Sequence, residues 1–129
     1  MTRFFNPETI VPPHNAYSHG AELEAGTRLL YMSGQVGSEK DGSIASDFEA
    51  QMRRTYANIE EILKGAGMGL QNLVKVTTFL TGREYLADMR RIRGDILGGH
   101  RPAHTLLIVA GLAYEEFLIE VECVAAAES

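Results

Sequence analysis

The segment Thr105-Leu106-Leu107-Ile108-Val109-Ala110 is apolar on both parities. Successive side chains of a strand point to opposite faces of the sheet, so a strand of this kind needs cover on two sides. The rest of the chain contains only two helical patterns. Two helices shield one face of a sheet. The economical cover for the other face is another copy of the same chain in closed symmetry.

Around that strand the order of elements is readable. Pro7, Pro12 and Pro13, together with His14, Asn15, Tyr17, Ser18, His19 and Gly20, favour an irregular N-terminal arm, with a short extra strand at Phe4-Phe5. Ala21–Ala25, a turn at Gly26-Thr27 and Arg28–Ser33 read as a hairpin. Ser46-Asp47-Phe48-Glu49 has the form of a capping box, and Phe48, Met52, Tyr56, Ile59, Leu63 and Ala66 follow at helical spacing until Gly65 or Gly67 ends the helix. Leu73–Leu80 is β-branched and reads as a strand. Thr81-Gly82-Arg83-Glu84 opens a second helix striped by Leu86, Met89, Ile92 and Ile96, which Gly98-Gly99 stops. Strands are then expected over His104–Ala110 and from Glu116 or Phe117 to Ala125. The sum is one domain over residues 1–129, an α+β sandwich with two helices on one face of a mixed sheet.

Composition narrows the function classes. Lys plus Arg is 12, Asp plus Glu is 17, and the formal charge is −5. An acidic chain without a basic stripe interleaved with aromatics argues against nucleic acid as a partner. No apolar stretch is long enough to span a bilayer, and Met1–Pro7 lacks the apolar core of a signal peptide, so a soluble cytoplasmic protein is expected. The single cysteine, Cys123, excludes an internal disulfide and reads as a buried inert thiol. His14 and His19, and His100 and His104, lie in loop or strand, where their spacing does not converge on a metal. No metal is expected. There is no Gly-x-Ser-x-Gly elbow around Ser33, and Gly65-x-Gly67-x-Gly69 ends a helix instead of linking a strand to one.

Charged residues leave alternatives open. On the last strand Ile119, Val121, Cys123 and Ala125 share one parity, and Glu120, Glu122 and Val124 share the other. Glu120 is either part of a solvated face or a carboxylate in a polar pocket against a neighbouring subunit. Arg83, Arg90, Arg91 and Arg93, interspersed with Glu84, Asp88 and Asp95, read as a solvated, ion-paired face. Arg101 stands at the mouth of a strand, where it forms either a salt bridge or a two-pronged clamp for a carboxylate.

Several segments together resemble the reactive-intermediate deaminase family, also called Rid or YjgF-like and formerly L-PSP endoribonuclease. They are Asn15-Ala16-Tyr17-Ser18-His19-Gly20, Leu30-Tyr31-Met32-Ser33-Gly34-Gln35, the helix with Asn58 and Ile59, Val74–Leu80, and Arg101-Pro102-Ala103-His104-Thr105 through Leu118-Ile119-Glu120-Val121-Glu122. The resemblance implies a chorismate-mutase-like, ferredoxin-like α+β sandwich and a homotrimer with clefts between subunits. It also implies cofactor-independent hydrolysis of enamines and imines to 2-keto acids and ammonia, on a small carboxylate-bearing metabolite. Tyr17, Ser33, Gly34 and Glu120 match the family's pocket residues, while the family's carboxylate-binding arginine is replaced by His104. Arg90 stands where an asparagine is often found. Arg101 then restores a clamp, or His104 acts as acid or base beside Glu120 with its pKa raised by that neighbour, or the pocket binds without turnover. The resemblance thus implies either a deaminase of altered specificity or a non-catalytic metabolite-binding trimer, with ribonuclease activity a third and weaker reading.

Overall fold

In the computed structural model, which describes residues 1–129, the helical stripe becomes the buried face of α1 (Phe48–Gly65), with Met52, Tyr56, Ile59 and Leu63 enclosed. The cap is Asp47, one residue later than the capping-box pattern places it. Its carboxylate accepts a hydrogen bond from the Ala50 amide at 3.0 Å, satisfying one of the free N–H groups of the first turn. Asp47→Ala is expected to destabilise the protein by about 1 kcal/mol, read as a lower urea midpoint. At the other end Gly67, at φ +70°, lets the Met68 and Gly67 amides fold back on the Leu63 and Lys64 carbonyls.

The main sheet has the order β3-β6-β4-β5, from β3 (Arg28–Tyr31), β6 (Ile119–Ala127), β4 (Leu73–Leu80) and β5 (Ala103–Ile108). β4 and β5 are parallel and joined through α2 (Leu86–Leu97), while the other pairs are antiparallel. A 3-10 turn at Arg83–Tyr85 precedes α2, so the regular helix begins later than Thr81-Gly82 suggests. Met89 and Ile92 of α2 meet the α1 stripe over Val76, Leu80, Val121, Cys123 and Ala125 of the sheet. Both helices lie on one face, and the fold class is α+β as expected.

The expected hairpin is not formed. Gly26 does make a turn at φ +83°, but β2 (Gly20–Leu23) pairs with β1 (Thr2–Phe5), and β3 pairs with β6. A turn signal marks a chain reversal and does not say which strands pair. Joining β6 lets β3 and the residue after it carry Leu30 and Met32 onto the core, whereas β2 carries no comparable apolar side chain inward. β6 starts at Ile119, later than the expected Glu116 or Phe117, because the Leu118 amide is taken by the Gln51 side chain at 2.9 Å.

The sheet face opposite the helices is bare. Tyr31 is 75% exposed there, and Leu29 and Leu107 are also exposed. No helix is long and apolar enough to cross a membrane.

Candidate functional site

The N-terminal arm runs along the outer edge of β5. The Ser18 amide donates to the Pro102 carbonyl at 3.2 Å and its hydroxyl to the Arg101 carbonyl at 2.6 Å. This docking leaves a cleft of about 230 Å³, walled by His14, Asn15 and Tyr17 of the arm, Met89, Arg90 and Arg93 of α2, and His104 and Leu106 of β5. The Tyr17 hydroxyl accepts from the His14 amide at 3.2 Å, which steadies the ring at the rim.

His104 sits beside Val76 in the β4–β5 register and therefore faces the helices. Its Nδ1 lies 3.0 Å from Arg93 Nη1, and its Nε2 lies 2.8 Å from Thr78 Oγ1. A guanidinium only donates, so Nδ1 must be the accepting nitrogen, and the neutral ring carries its proton on Nε2. Burial first, then the positive charges of Arg93 and Lys75, push the His104 pKa down to about 4. The expectation of an imidazole raised by Glu120 is therefore overturned: the ring is neutral at pH 7 and its charged neighbours are cations.

Arg93 also departs from the expected solvated face. Arg91 does stay on that face, 2.9 Å from Glu49 and 3.5 Å from Asp88. Arg93 turns inward and is 5% exposed. The signal was present, since position 93 is four after Met89 and three before Ile96, on the apolar stripe. Its charge hid that placement. Arg101, by contrast, is exposed and does not line the cleft; its carbonyl serves only to hold Ser18.

Ser33, Gly34 and Glu120 lie elsewhere. The Met32 amide bonds the Cys123 carbonyl at 3.1 Å, and Gln35 and Val121 exchange bonds of 2.8 and 2.9 Å. Ser33 and Gly34 thus face a single residue, Glu122, forming a bulge that re-aims the backbone. A Cβ at Gly34 would overlap the Glu120 carboxylate, so any larger residue there displaces that side chain from its present position. Glu120 pairs with Phe79 in register and so faces the bare side, opposite to His104. Within one protomer, His104 and Glu120 do not act side by side.

Helix α1 holds this second group in place. Asn58 Nδ2 donates to the Val36 and Ser38 carbonyls at 3.2 and 3.0 Å. Gln51, wholly buried, donates to the Ala45 and Glu116 carbonyls, both at 2.8 Å, while its oxygen accepts from Leu118. The segments on either side of Gly34 and Glu120 are thereby pinned to one helix. Sequence reasoning missed Gln51 because a lone glutamine carries no motif.

The remaining groups do not converge. His100 Nε2 donates to the Leu73 carbonyl at 2.8 Å, and the His19 amide donates to Asn6. Burial pushes the Cys123 thiol up to about 12, so it is no nucleophile. No group of three or more His, Cys, Asp or Glu is arranged to hold a metal ion. A larger cavity of about 300 Å³ between Phe4, Asn72, Val74 and Ala127 has only the Met1 amino group and Glu128 as charged lining, and that amino group pairs with Glu24.

The chain and its fold are similar to those of known proteins. Residues 8–127 match the family described as Endoribonuclease L-PSP. The structure of YyfB, a Rid-family protein of unknown function from Yersinia pestis, superposes with a TM-score of 0.86 at 30% identity, covering 98% of each chain. The mitochondrial protein mmf2 of Schizosaccharomyces pombe is 35% identical over 101 residues, 76% of this chain and 79% of its own. The RutC family protein YjgH of Escherichia coli is 33% identical over 113 residues, 84% of this chain and 86% of its own. The chain belongs to this Rid/YjgF family.

Proposed function

We propose that the protein hydrolyses small enamine or imine carboxylates to 2-keto acids and ammonia, in clefts closed between copies of the chain. The observation that carries this reading is the division of the polar groups. Tyr17, Arg90 and His104 lie at the β5 edge, and Glu120 with the Ser33-Gly34 bulge lies on a bare, partly apolar face. A sister copy laid on that face joins one protomer's Glu120 to another's Tyr17, and a homotrimer does so three times with one kind of contact. A single, buried cysteine is consistent with a reducing compartment such as the cytoplasm.

The chemistry asks little of the protein. The imine carbon is already electrophilic. An enamine first gains a proton on carbon and loses one from nitrogen to become the imine. Water then adds, giving its first proton to the nitrogen, and the carbon–nitrogen bond breaks as the second passes from the new hydroxyl to the nitrogen, which leaves as ammonia. The site has to hold the carboxylate, set a water about 3 Å from the carbon and pass these protons. Glu120 orients the water, the bulge amides face the developing oxygen, and Tyr17 closes the pocket. His104 is held between Thr78 and Arg93, which favours a second reading in which it shapes a binding pocket without taking part in turnover.

Generating 2-aminoacrylate in situ and following keto-acid release separates the two. Wild type is expected to exceed the uncatalysed rate, with Glu120→Gln and Gly34→Ala slower by at least about tenfold. Equal rates for all three and for buffer would leave only the binding role. Sedimentation is expected to give three times the 14.2 kDa chain mass. Any ribonuclease activity would have to persist through repeated purification.

A further inference from the structure

We infer that Arg93, assisted by Arg90, is the carboxylate clamp of the α2–β5 cleft, supplying from the helix the guanidinium that the strand position of His104 lacks. The inference takes the substrate class from the proposed function but stands on the geometry of the cleft.

Arg93 is an anomaly as a structural residue. It is 5% exposed and has no carboxylate within ion-pair distance. Its hydrogen-bond partner is the neutral ring of His104, which accepts through Nδ1. A guanidinium stays charged even in such surroundings, and a buried charge without a counter-ion is strongly unfavourable. The same surface has acids to spare. Arg53 takes Glu49 and Asp95, Arg54 takes Glu39, and Arg91 takes Glu49 and Asp88. Arg90, three residues before Arg93 and lining the same cleft, is in no ion pair either. Two like charges at that spacing on one helix repel, so their shared orientation weakens the helix unless an anion lies between them.

Within one protomer the cleft supplies no such anion, and the acid that the proposed assembly brings to Tyr17, a sister copy's Glu120, is the one assigned to the water. The cleft walls contain two arginines, two histidines, an asparagine, a tyrosine and two apolar side chains, and no acid. Its volume of about 230 Å³ holds roughly seven or eight waters' worth of ligand. Met89 and Leu106 give it an apolar wall suited to a short carbon chain. The occupant that fits is a short-chain 2-keto or 2-imino carboxylate, its carboxylate forked onto Arg93 and Arg90 and its tail on Met89 and Leu106. His104 is then a positioning residue that holds Arg93 through a bond needing the neutral ring.

Calorimetric titration with 2-oxobutyrate, 2-oxobutyramide and inorganic phosphate tests this without requiring turnover. Wild type is expected to bind 2-oxobutyrate, with the amide bound at least tenfold more weakly. Arg93→Gln is expected to weaken binding about 10- to 100-fold and Arg90→Ala a few-fold, with Arg83→Ala unchanged. Unchanged affinity in a folded Arg93→Gln, or the amide binding as well as the acid, overturns the clamp. Phosphate binding as tightly as the keto acid overturns the carboxylate assignment. If Arg93→Gln fails to fold, Arg90→Glu decides: loss of keto-acid binding supports the clamp, and retention overturns it. Keto-acid binding that depends on Arg93 in a protein that releases no keto acid keeps the clamp and removes the hydrolysis; turnover indifferent to Arg93 does the reverse.

Discussion

Gln51→Leu is expected to be the most damaging single change outside the apolar core, destabilising the protein by about 2–4 kcal/mol. Leucine fills the same space but can neither donate to the Ala45 and Glu116 carbonyls nor accept from the Leu118 amide. Each deserted partner loses about 1–3 kcal/mol when buried and less where water can replace the side chain. The Ala45 and Glu116 residues are exposed enough for some replacement, which sets the range below the simple sum. Urea unfolding followed by circular dichroism should show a midpoint lowered by about 1 M or more with an unchanged slope. The same substitution frees the start of β6, so Glu120, two residues beyond Leu118, loses its fixed place over Gly34. A change below about 0.5 kcal/mol would mean that Gln51 does not organise these loops.

The second large effect is on the acid limb of the stability curve. His104 titrates near 4 in the folded protein, for reasons of burial and the neighbouring Arg93 and Lys75 charges, against 6.5 for an ordinary histidine. Between those values the unfolded chain takes up a proton that the folded protein refuses, so acid favours unfolding. Above 6.5 both states are neutral and the contribution is fully present; it is lost as the pH falls through 4. The loss has an upper bound of about 3 kcal/mol, reduced in practice by the partial exposure of the ring. His104→Gln keeps an acceptor for Arg93 and a donor for Thr78 but cannot titrate. Urea unfolding between about pH 7.5 and about pH 4.5 should therefore show a wild-type stability that declines more steeply than the variant's. Parallel curves would mean that the ring is solvated enough to titrate normally. Exposed carboxylates such as Glu49, held low by Arg91 and Arg53, act in both proteins and cancel in the comparison.

Where one local signal dominated, the sequence was readable. The α1 stripe and the Leu73–Leu80 strand stand within a residue of their expected limits, because helical spacing and a β-branched run need no knowledge of partners. The parity of the last strand was equally clear: Ile119, Val121, Cys123 and Ala125 are all buried, and Glu120 is on the other side. The strand 103–108 gave no such help. Being apolar on both parities, it does not say which way His104 points, and the ring turned out to face the helices, away from Glu120. The pairing of β2 with β1 and of β3 with β6 is not legible locally, because strand partners are chosen by distant residues. The charge of Arg93 masks its place on the apolar stripe between Met89 and Ile96, where the side chain is buried.

The parallel arrangement of β4 and β5 has a consequence for how the cleft comes into being. Parallel neighbours cannot be joined by a tight turn, so the chain must leave the sheet, form α2 and return. Arg93 lies on the outbound limb and His104 on the return, eleven residues apart. Their contact exists only when that excursion has closed. Local melting of this unit would erase the cleft while leaving α1 on β6, and an occupant bridging helix and strand would act as a latch on that closure.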